Sequence, residues 1–191
     1  MARPKSDDKR LAILEAAVKL FAERGLGSTP TAAISVAARV AEGTLFTYFA
    51  TKEDLVNAVY RSLKREVADS LAAAYPRAAD ARLRFRHVWD RYVEWGVSHP
   101  EKIRVLEQLE ASDSITEESR TLGLAALKEI ERVAKDSIRK KRIRNTSLPY
   151  LAAVMTTLAE TSIGFVVGNR QTRIDYSDAG FQIFWAGIAL H

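Results

Sequence analysis

The 191-residue chain has no cysteine, which removes disulfides, thiolate nucleophiles, thiol redox sensing and cysteine-ligated zinc together. Histidine is nearly as scarce: His87, His99 and His191 stand at no spacing a metal site uses. No paired carboxylates or histidine cluster suggest acid–base geometry, and Asp113, Glu117 and Glu118 read more simply as helix-start residues. The expectation is therefore a protein without catalysis, metal or cofactor. Glycine and proline are few, nine and five, and no Gly/Ser-rich linker divides the chain. No pair of strands and no internal repeat can be read. The first residues, MARPKSDDKR, lack the apolar run of a secretory signal, so a cytoplasmic protein is expected. What the chain has is length enough for one or two small domains, and a net charge of +5. That charge permits a nucleic-acid partner without requiring one.

The most informative stretch runs from Thr29 to Asp54. Thr29 followed by Pro30 is a helix start, a hydroxyl cap and then proline where its missing N–H costs nothing. Ile34, Ala37, Ala38, Val40 and Leu45 are the apolar contacts expected to lock two short helices, neither of which is stable alone. The second helix, Glu42 to about Phe49, opens with Gly43 and presents Thr44, Thr47 and Tyr48, slim or hydroxyl-bearing groups suited to phosphates and base edges. Thr51-Lys-Glu-Asp54 then starts a further helix in the manner of a capping box. Three helix starts so close together, the middle one polar and slim, make a helix-turn-helix over about 30–49.

These residues resemble the TetR family of bacterial transcriptional regulators. The resemblance runs from about Leu11 to Leu55. Ile13-Leu-Glu-Ala-Ala17, Leu20-Phe-Ala-Glu-Arg-Gly25, Gly43-Thr-Leu-Phe46, Tyr48-Phe49 and Thr51-Lys-Glu-Asp-Leu55 fall in the family's order and spacing. Two positions depart from it. Arg39 stands where the turn usually carries glycine, and Ala41 where a serine usually caps the recognition helix. A positive φ at Arg39 would cost roughly 1 kcal/mol, and a missing cap about as much.

Around this stretch the chain reads as helices throughout. Leu11, Leu14, Val18, Phe21 and Ala22 repeat at helical spacing up to Gly25, the expected C′ residue. Before them Arg3, Lys5, Lys9 and Arg10 form a basic arm, read equally as a solvated terminus capped by Ser6 or as a phosphate-tracking arm. Leu55, Val59, Leu63, Val67 and Leu71 mark one long helix from Thr51, stopped at Tyr75-Pro76, with the next beginning at Ala78–Ala81. Phe85, Val88, Trp89, Tyr92, Val93 and Gly96 form a broad apolar face with His87 and Trp95 at its margins. A shorter helix carries Ile103, Leu106 and Leu109 inward. A longer one, Ile115 to Ile138, carries Leu127, Ile130, Ala134 and Ile138 inward and ends in Arg139-Lys-Lys-Arg-Ile-Arg144, read as a solvated helix end. Leu148 to Gly168 is apolar nearly all round and long enough to span a bilayer, but Glu160 and the hydroxyls of Thr156, Thr157, Thr161 and Ser162 argue against lipid. Ser177 to Leu190 is a second apolar helix.

The fold expected is all-α: an N-terminal three-helix helix-turn-helix domain over 1–67, joined by a long helix to a C-terminal bundle over 68–191. The two apolar helices call for a partner surface, and a two-fold four-helix pairing is expected, through Gly164, Gly168, Phe181, Phe184 and Trp185. The resemblance implies the same homodimer. The partners expected are double-stranded operator DNA and no membrane. Thr29, Thr31, Arg39, Tyr48 and Lys52 are expected at phosphates. Gly43, Thr44 and Thr47 are expected at base edges, with Glu42 accepting from a cytosine amino group if it touches DNA, and Phe46 packed inward or against a thymine methyl. Phe85, Trp89, Tyr92, Trp95, Leu109, Met155 and Phe165 are ordinary core or the lining of a largely apolar pocket, with Glu107, Glu110, Glu160 or His87 as its polar handle. The resemblance implies that a small-molecule effector fills this domain, shifts the long helix and releases DNA. The alternative is a dimeric DNA-binding protein of the same fold without a ligand, controlled by a partner or by abundance.

Overall fold

The computed structural model describes residues 5–125, 128–169 and 173–190. Among the described residues every regular element is an α-helix, ten of them, and the only strand-like feature is an isolated bridge between Ile143 and Ala189. The chain divides into two compact units, Met1–Arg65 with Glu101–Gly123, and Glu66–Pro100 with Leu124–His191.

In the first unit, α1 (Lys5–Arg24) buries Ile13, Leu14, Ala17, Leu20 and Phe21 on one face. It ends at Gly25, whose φ of +84° is the left-handed C′ conformation, with its N–H bonded to the Phe21 carbonyl at 2.9 Å. Short helices α2 (Thr31–Ala37) and α3 (Glu42–Tyr48) close over that face through Ile34 and Leu45, both fully buried. Ala37, expected in this contact, is exposed. Helix α4 (Lys52–Ala72) begins with a closed capping box. The Thr51 hydroxyl accepts from Asp54 N–H at 3.0 Å, and the Asp54 carboxylate accepts from Thr51 N–H at 3.0 Å.

Residues 101–123 belong to this unit through a buried polar knot. Asn57 Nδ2 donates to the carbonyls of Glu53 and Ser114, at 2.9 and 2.8 Å, while Oδ1 accepts from Thr116 N–H at 3.0 Å. Arg61 Nη1 donates to the buried Ser119 hydroxyl at 2.6 Å. Helix α6 (Pro100–Glu110) buries Ile103, Val105, Leu106 and Leu109, and Glu110 at its end accepts from Lys64 Nζ at 2.9 Å and the Tyr60 hydroxyl at 3.3 Å. Burial, with the adjacent Glu110 charge, pushes the Tyr60 phenol up to about 12. The single helix expected over 115–138 is described as α7 (Glu117–Ala125) and α8 (Lys128–Arg139). Leu127 lies outside the described residues.

The second unit is built on α5 (Ala81–Ser98), α8, α9 (Leu148–Gly168) and α10 (Tyr176–Ile188). Helix α5 starts at Ala81 and not at Ala78, because Asp80 supplies the cap, accepting from Leu83 N–H at 2.9 Å. Trp89 is fully buried, with its ring 6.2 Å from Phe184 and 6.0 Å from Phe181 and its N–H bonded to the Ser177 carbonyl at 3.0 Å. Gly180 is required here: a Cβ would stand 2.2 Å from Ser162 Oγ and 2.8 Å from the Trp89 ring. Trp95, expected at the margin, is buried. Helix α9 is apolar and long enough to cross a membrane, and only 22% of its most apolar window is buried within the chain.

Candidate nucleic-acid interface

Helix α2 ends in a tight reversal. Arg39 N–H bonds to the Val36 carbonyl at 3.1 Å, and Val40 N–H to the Ser35 carbonyl at 3.0 Å, the pair of bonds of a Schellman motif. Its C′ residue is Arg39, at φ 55°, in the left-handed region where glycine is at ease. Ala41 then caps α3 with no side-chain bond. Both departures from the family pattern thus keep the backbone of the usual turn while giving up its cheapest side chains.

What this turn holds outward is α3. Leu45 and, just beyond the helix, Phe49 are buried, while Glu42, Gly43, Phe46 and Thr47 are exposed and Thr44 and Tyr48 half-buried. Nothing lies within 4 Å of where a Gly43 Cβ would sit. The chain's own packing therefore does not demand a glycine there. The Thr47 hydroxyl donates to the Gly43 carbonyl at 2.8 Å, leaving its lone pairs outward, and Thr31 Oγ1 reaches the Glu42 carboxylate at 3.4 Å. That contact holds the one acid of the helix beside α2. Phe46 is 42% exposed, which overturns the inward reading. Val36, on α2, is 78% exposed, and the sequence pattern gave no reason to single it out.

Around α3, Arg39 is exposed, and Lys52 sits in the first turn of α4 with Nζ donating to the Gly27 carbonyl at 3.2 Å. Thr29 is a correction. It is 0% exposed, with its hydroxyl 2.8 Å from the Gly25 carbonyl and 3.3 Å from that of Leu20, so it neither caps α2 nor reaches a phosphate. Pro30 takes the cap position instead. A threonine at a helix start reads as a cap from sequence; only the return of the chain over the end of α1 turns it inward. In the basic arm Lys9 and Arg10 are exposed, and the Arg10 guanidinium lies 5.5 Å from the centre of the Phe49 ring. Arg3 and the side chains of Lys5 and Ser6 lie outside the described residues.

In the second unit the expected pocket and dimer residues divide differently. Phe85, Trp89 and Trp95 are buried, and Tyr92 donates to Glu160 at 3.1 Å. Phe165 is a correction to the pocket lining: it is 48% exposed, with its ring 5.0 Å from that of Tyr176. Met155 is half-buried, and Leu109 is fully buried in the first unit. Phe181 and Phe184 are corrections to the dimer face, because both are 1% exposed in the chain's own core. Phe85 packs on Phe184 and on the half-buried Trp185 at about 6 Å. The exposed side of α9 and α10 instead carries Tyr150, Gly164, Phe165, Gly168, Ile183, Gly187 and Leu190. A shallow apolar hollow of about 180 Å³ runs between the two helices, lined among others by Tyr150, Val154, Ile183 and Gly187. Among the described residues no group of three or more His, Asp or Glu could hold a metal ion.

A slim, outward-facing helix held by a Schellman turn on a three-helix base defines the class: a helix-turn-helix DNA-binding module. Residues 13–59 match the model of the bacterial regulatory proteins of the tetR family. An HTH-type transcriptional repressor of Mycobacterium tuberculosis is 34% identical over 94 residues, 44% of this chain and 50% of the repressor. The HTH-type transcriptional regulator LuxR of Vibrio harveyi is 32% identical over 82 residues, 43% of this chain and 40% of LuxR. The chain thus spans half or less of the length of these curated relatives. Whole-chain similarity comes from solved structures. A TetR family transcription regulator from Marinobacter aquaeolei VT8 superposes with a TM-score of 0.90 over 100% of both chains at 24% identity. The regulator FadR from Bacillus subtilis, in complex with stearoyl-CoA, gives 0.73 over 95% of this chain and 100% of its own at 17% identity. Residues 13–59 thus match the tetR family, and the chain as a whole has the fold of these solved regulators.

Proposed function

We propose that this chain is a transcriptional repressor that binds a palindromic operator as a cytoplasmic homodimer and is released by a small, largely apolar effector in its C-terminal unit. It acts by binding alone, without catalysis. The observation that carries the DNA-binding part is the outward face of α3, where Gly43 stands open and no packing demand explains it. Thr44 and Thr47 meet base edges beside it, while Tyr48, Thr31, Arg39 and Lys52 meet the backbone on either side. Gel-shift titrations test this division. Tyr48→Ala and Lys52→Ala weaken binding on cognate and random duplexes alike, and Thr44→Ala changes sequence preference. Equal loss on both duplexes for Thr44→Ala contradicts the assignment, and no duplex binding even at low salt ends it.

The exposed apolar side of α9 and α10 supports the homodimer, with Gly164, Gly168 and Gly187 leaving room for close helix approach. The effector is supported by the FadR neighbour, which was solved with an acyl-CoA. Helix α4 contributes residues to both units, so a displacement of its C-terminal part reaches the part that starts beside α3. A coupling of roughly 1–3 kcal/mol is sufficient to change operator occupancy. One observation favours the second reading, a ligand-free dimer: Phe85, Trp89, Phe181 and Phe184 fill the unit's centre against one another. Thermal shift against a metabolite library separates the two. A compound that raises the melting temperature and lowers operator affinity identifies a sensor, and saturating ligand that leaves affinity unchanged rejects it.

A further inference from the structure

Helix α8 aligns Arg132, Lys135, Asp136 and Arg139 on one side, at the i, i+3, i+4, i+7 spacing of a single helix face. Arg84 of α5 joins them, and with Val133 these residues surround a hollow of about 360 Å³, wholly within the second unit. Four cations face one carboxylate. That carboxylate is already matched, since Asp136 is gripped by Arg139 Nη2 at 2.6 Å and Lys140 Nζ at 2.8 Å. Lys135 pairs with Glu131 one turn away at 2.5 Å. Arg84 has no such partner: one Nη donates to the Arg77 carbonyl, and among the described residues its buried Nε finds no acceptor and its guanidinium no ion pair. A buried donor on a charged group left without an acceptor is costly, and an arriving anion removes that cost.

We propose that this hollow binds a small molecule through a diphosphate group. Guanidinium forks match carboxylate and phosphate oxygens alike, two at a time, and phosphate brings the greater negative charge to this cationic hollow. The excess of cations suits more than one phosphate. The volume lies within the roughly 300–1,000 Å³ of small-molecule sites and exceeds what inorganic phosphate fills. Among the described residues Val133 is the sole apolar group lining the hollow and no aromatic ring lines it, so the hollow takes the charged part of its ligand and not a base or an acyl chain. The backbone of a duplex is convex and suits a concave site poorly.

Isothermal titration of the intact protein with sodium pyrophosphate, against sodium sulfate at matched ionic strength, tests the assignment. Saturable binding of one pyrophosphate per chain, not reproduced by sulfate, is expected. Arg84→Gln and Lys135→Gln, each checked for unchanged helix content, are expected to weaken it by about tenfold, the worth of one charge-assisted bond. If Arg84→Gln fails to fold, Lys135→Gln carries the comparison. No binding, equal binding of sulfate, or full affinity in the variants overturns the proposal. Displacement of pyrophosphate by a random duplex at equal phosphate concentration assigns the hollow to nucleic acid and overturns it as well.

Discussion

The two units each leave a face uncovered, and the faces differ in kind. On α3 the open face is slim and polar, with Gly43 and Thr47 exposed above a fully buried Leu45. On α9 and α10 it is broad and apolar, with Ile183 64% exposed and Tyr150, Phe165 and Leu190 alongside. Both carry glycines that no neighbouring atom requires, Gly43 in one and Gly164, Gly168 and Gly187 in the other, whereas Gly180 is locked by Ser162 and Trp89. A glycine with an internal reason belongs to the core. Nothing within the chain fixes the open glycines of these two faces, which fits the partners proposed for them, polar on α3 and apolar on α9 and α10.

The apolar face is the place where this contrast is most easily broken. Ile183→Asp places a charge on it and is expected to turn the proposed dimer into a monomer at micromolar concentration, with operator affinity falling by about a hundredfold or more; light scattering and gel shift read both. A dimer that persists would move the interface elsewhere. Asn57→Leu probes the interior instead. It leaves the Ser114 carbonyl and the Thr116 N–H unmet in the buried knot and is expected to cost about 2–3 kcal/mol of unfolding free energy by urea titration, with neither face touched. On the polar face, Gly43→Ala separates function from stability. The methyl enters open space and improves helix propensity, so stability is expected to hold or rise by up to about 1 kcal/mol while operator affinity falls roughly tenfold. Arg39→Gly sharpens the point further, since it relieves the left-handed φ and is expected to stabilise by about 1 kcal/mol in the same titration. The smallest effect is on pH dependence. The folded state holds the Tyr60 phenol up to about 12 against about 10 unfolded, so below about 10 its contribution is complete. As pH rises from there toward 12 the unfolded chain loses the proton first, and stability declines. Tyr60→Phe is expected to flatten the loss over that window.

The helix-turn-helix was legible because its signals are local. A proline at a helix start, a Thr-x-x-Asp box and Leu45 between polar neighbours each act within one turn of chain, and α3 and α9 fall within a residue of their expected bounds, as does the start of α4. Arg39 stood out only through the family resemblance, as the place where glycine is usual; that it takes the left-handed φ itself is an outcome of the structure. Misreadings arose wherever a residue's fate depended on distant chain. Thr29 reads as a cap until the end of α1 covers it. Phe181 and Phe184 read as partner-facing because composition reveals apolarity and not direction; the Trp89 ring decides which side of α10 is inward. The knot around Asn57 left no signal at all, as its partners lie 57 to 59 residues away.

Sequence alone determined that the regular elements are helices, where the second helix of the helix-turn-helix begins and ends, and that the last two helices are more apolar than a small core needs. Helix spacing and capping are short-range properties, written into neighbouring residues. Only the tertiary structure decided which aromatic side chains fill the core and which remain outside, that residues 101–123 join the helix-turn-helix unit, and that Arg84 meets the basic side of α8. Those outcomes depend on which faces meet, and a helix with apolar groups on several sides has more than one face to offer.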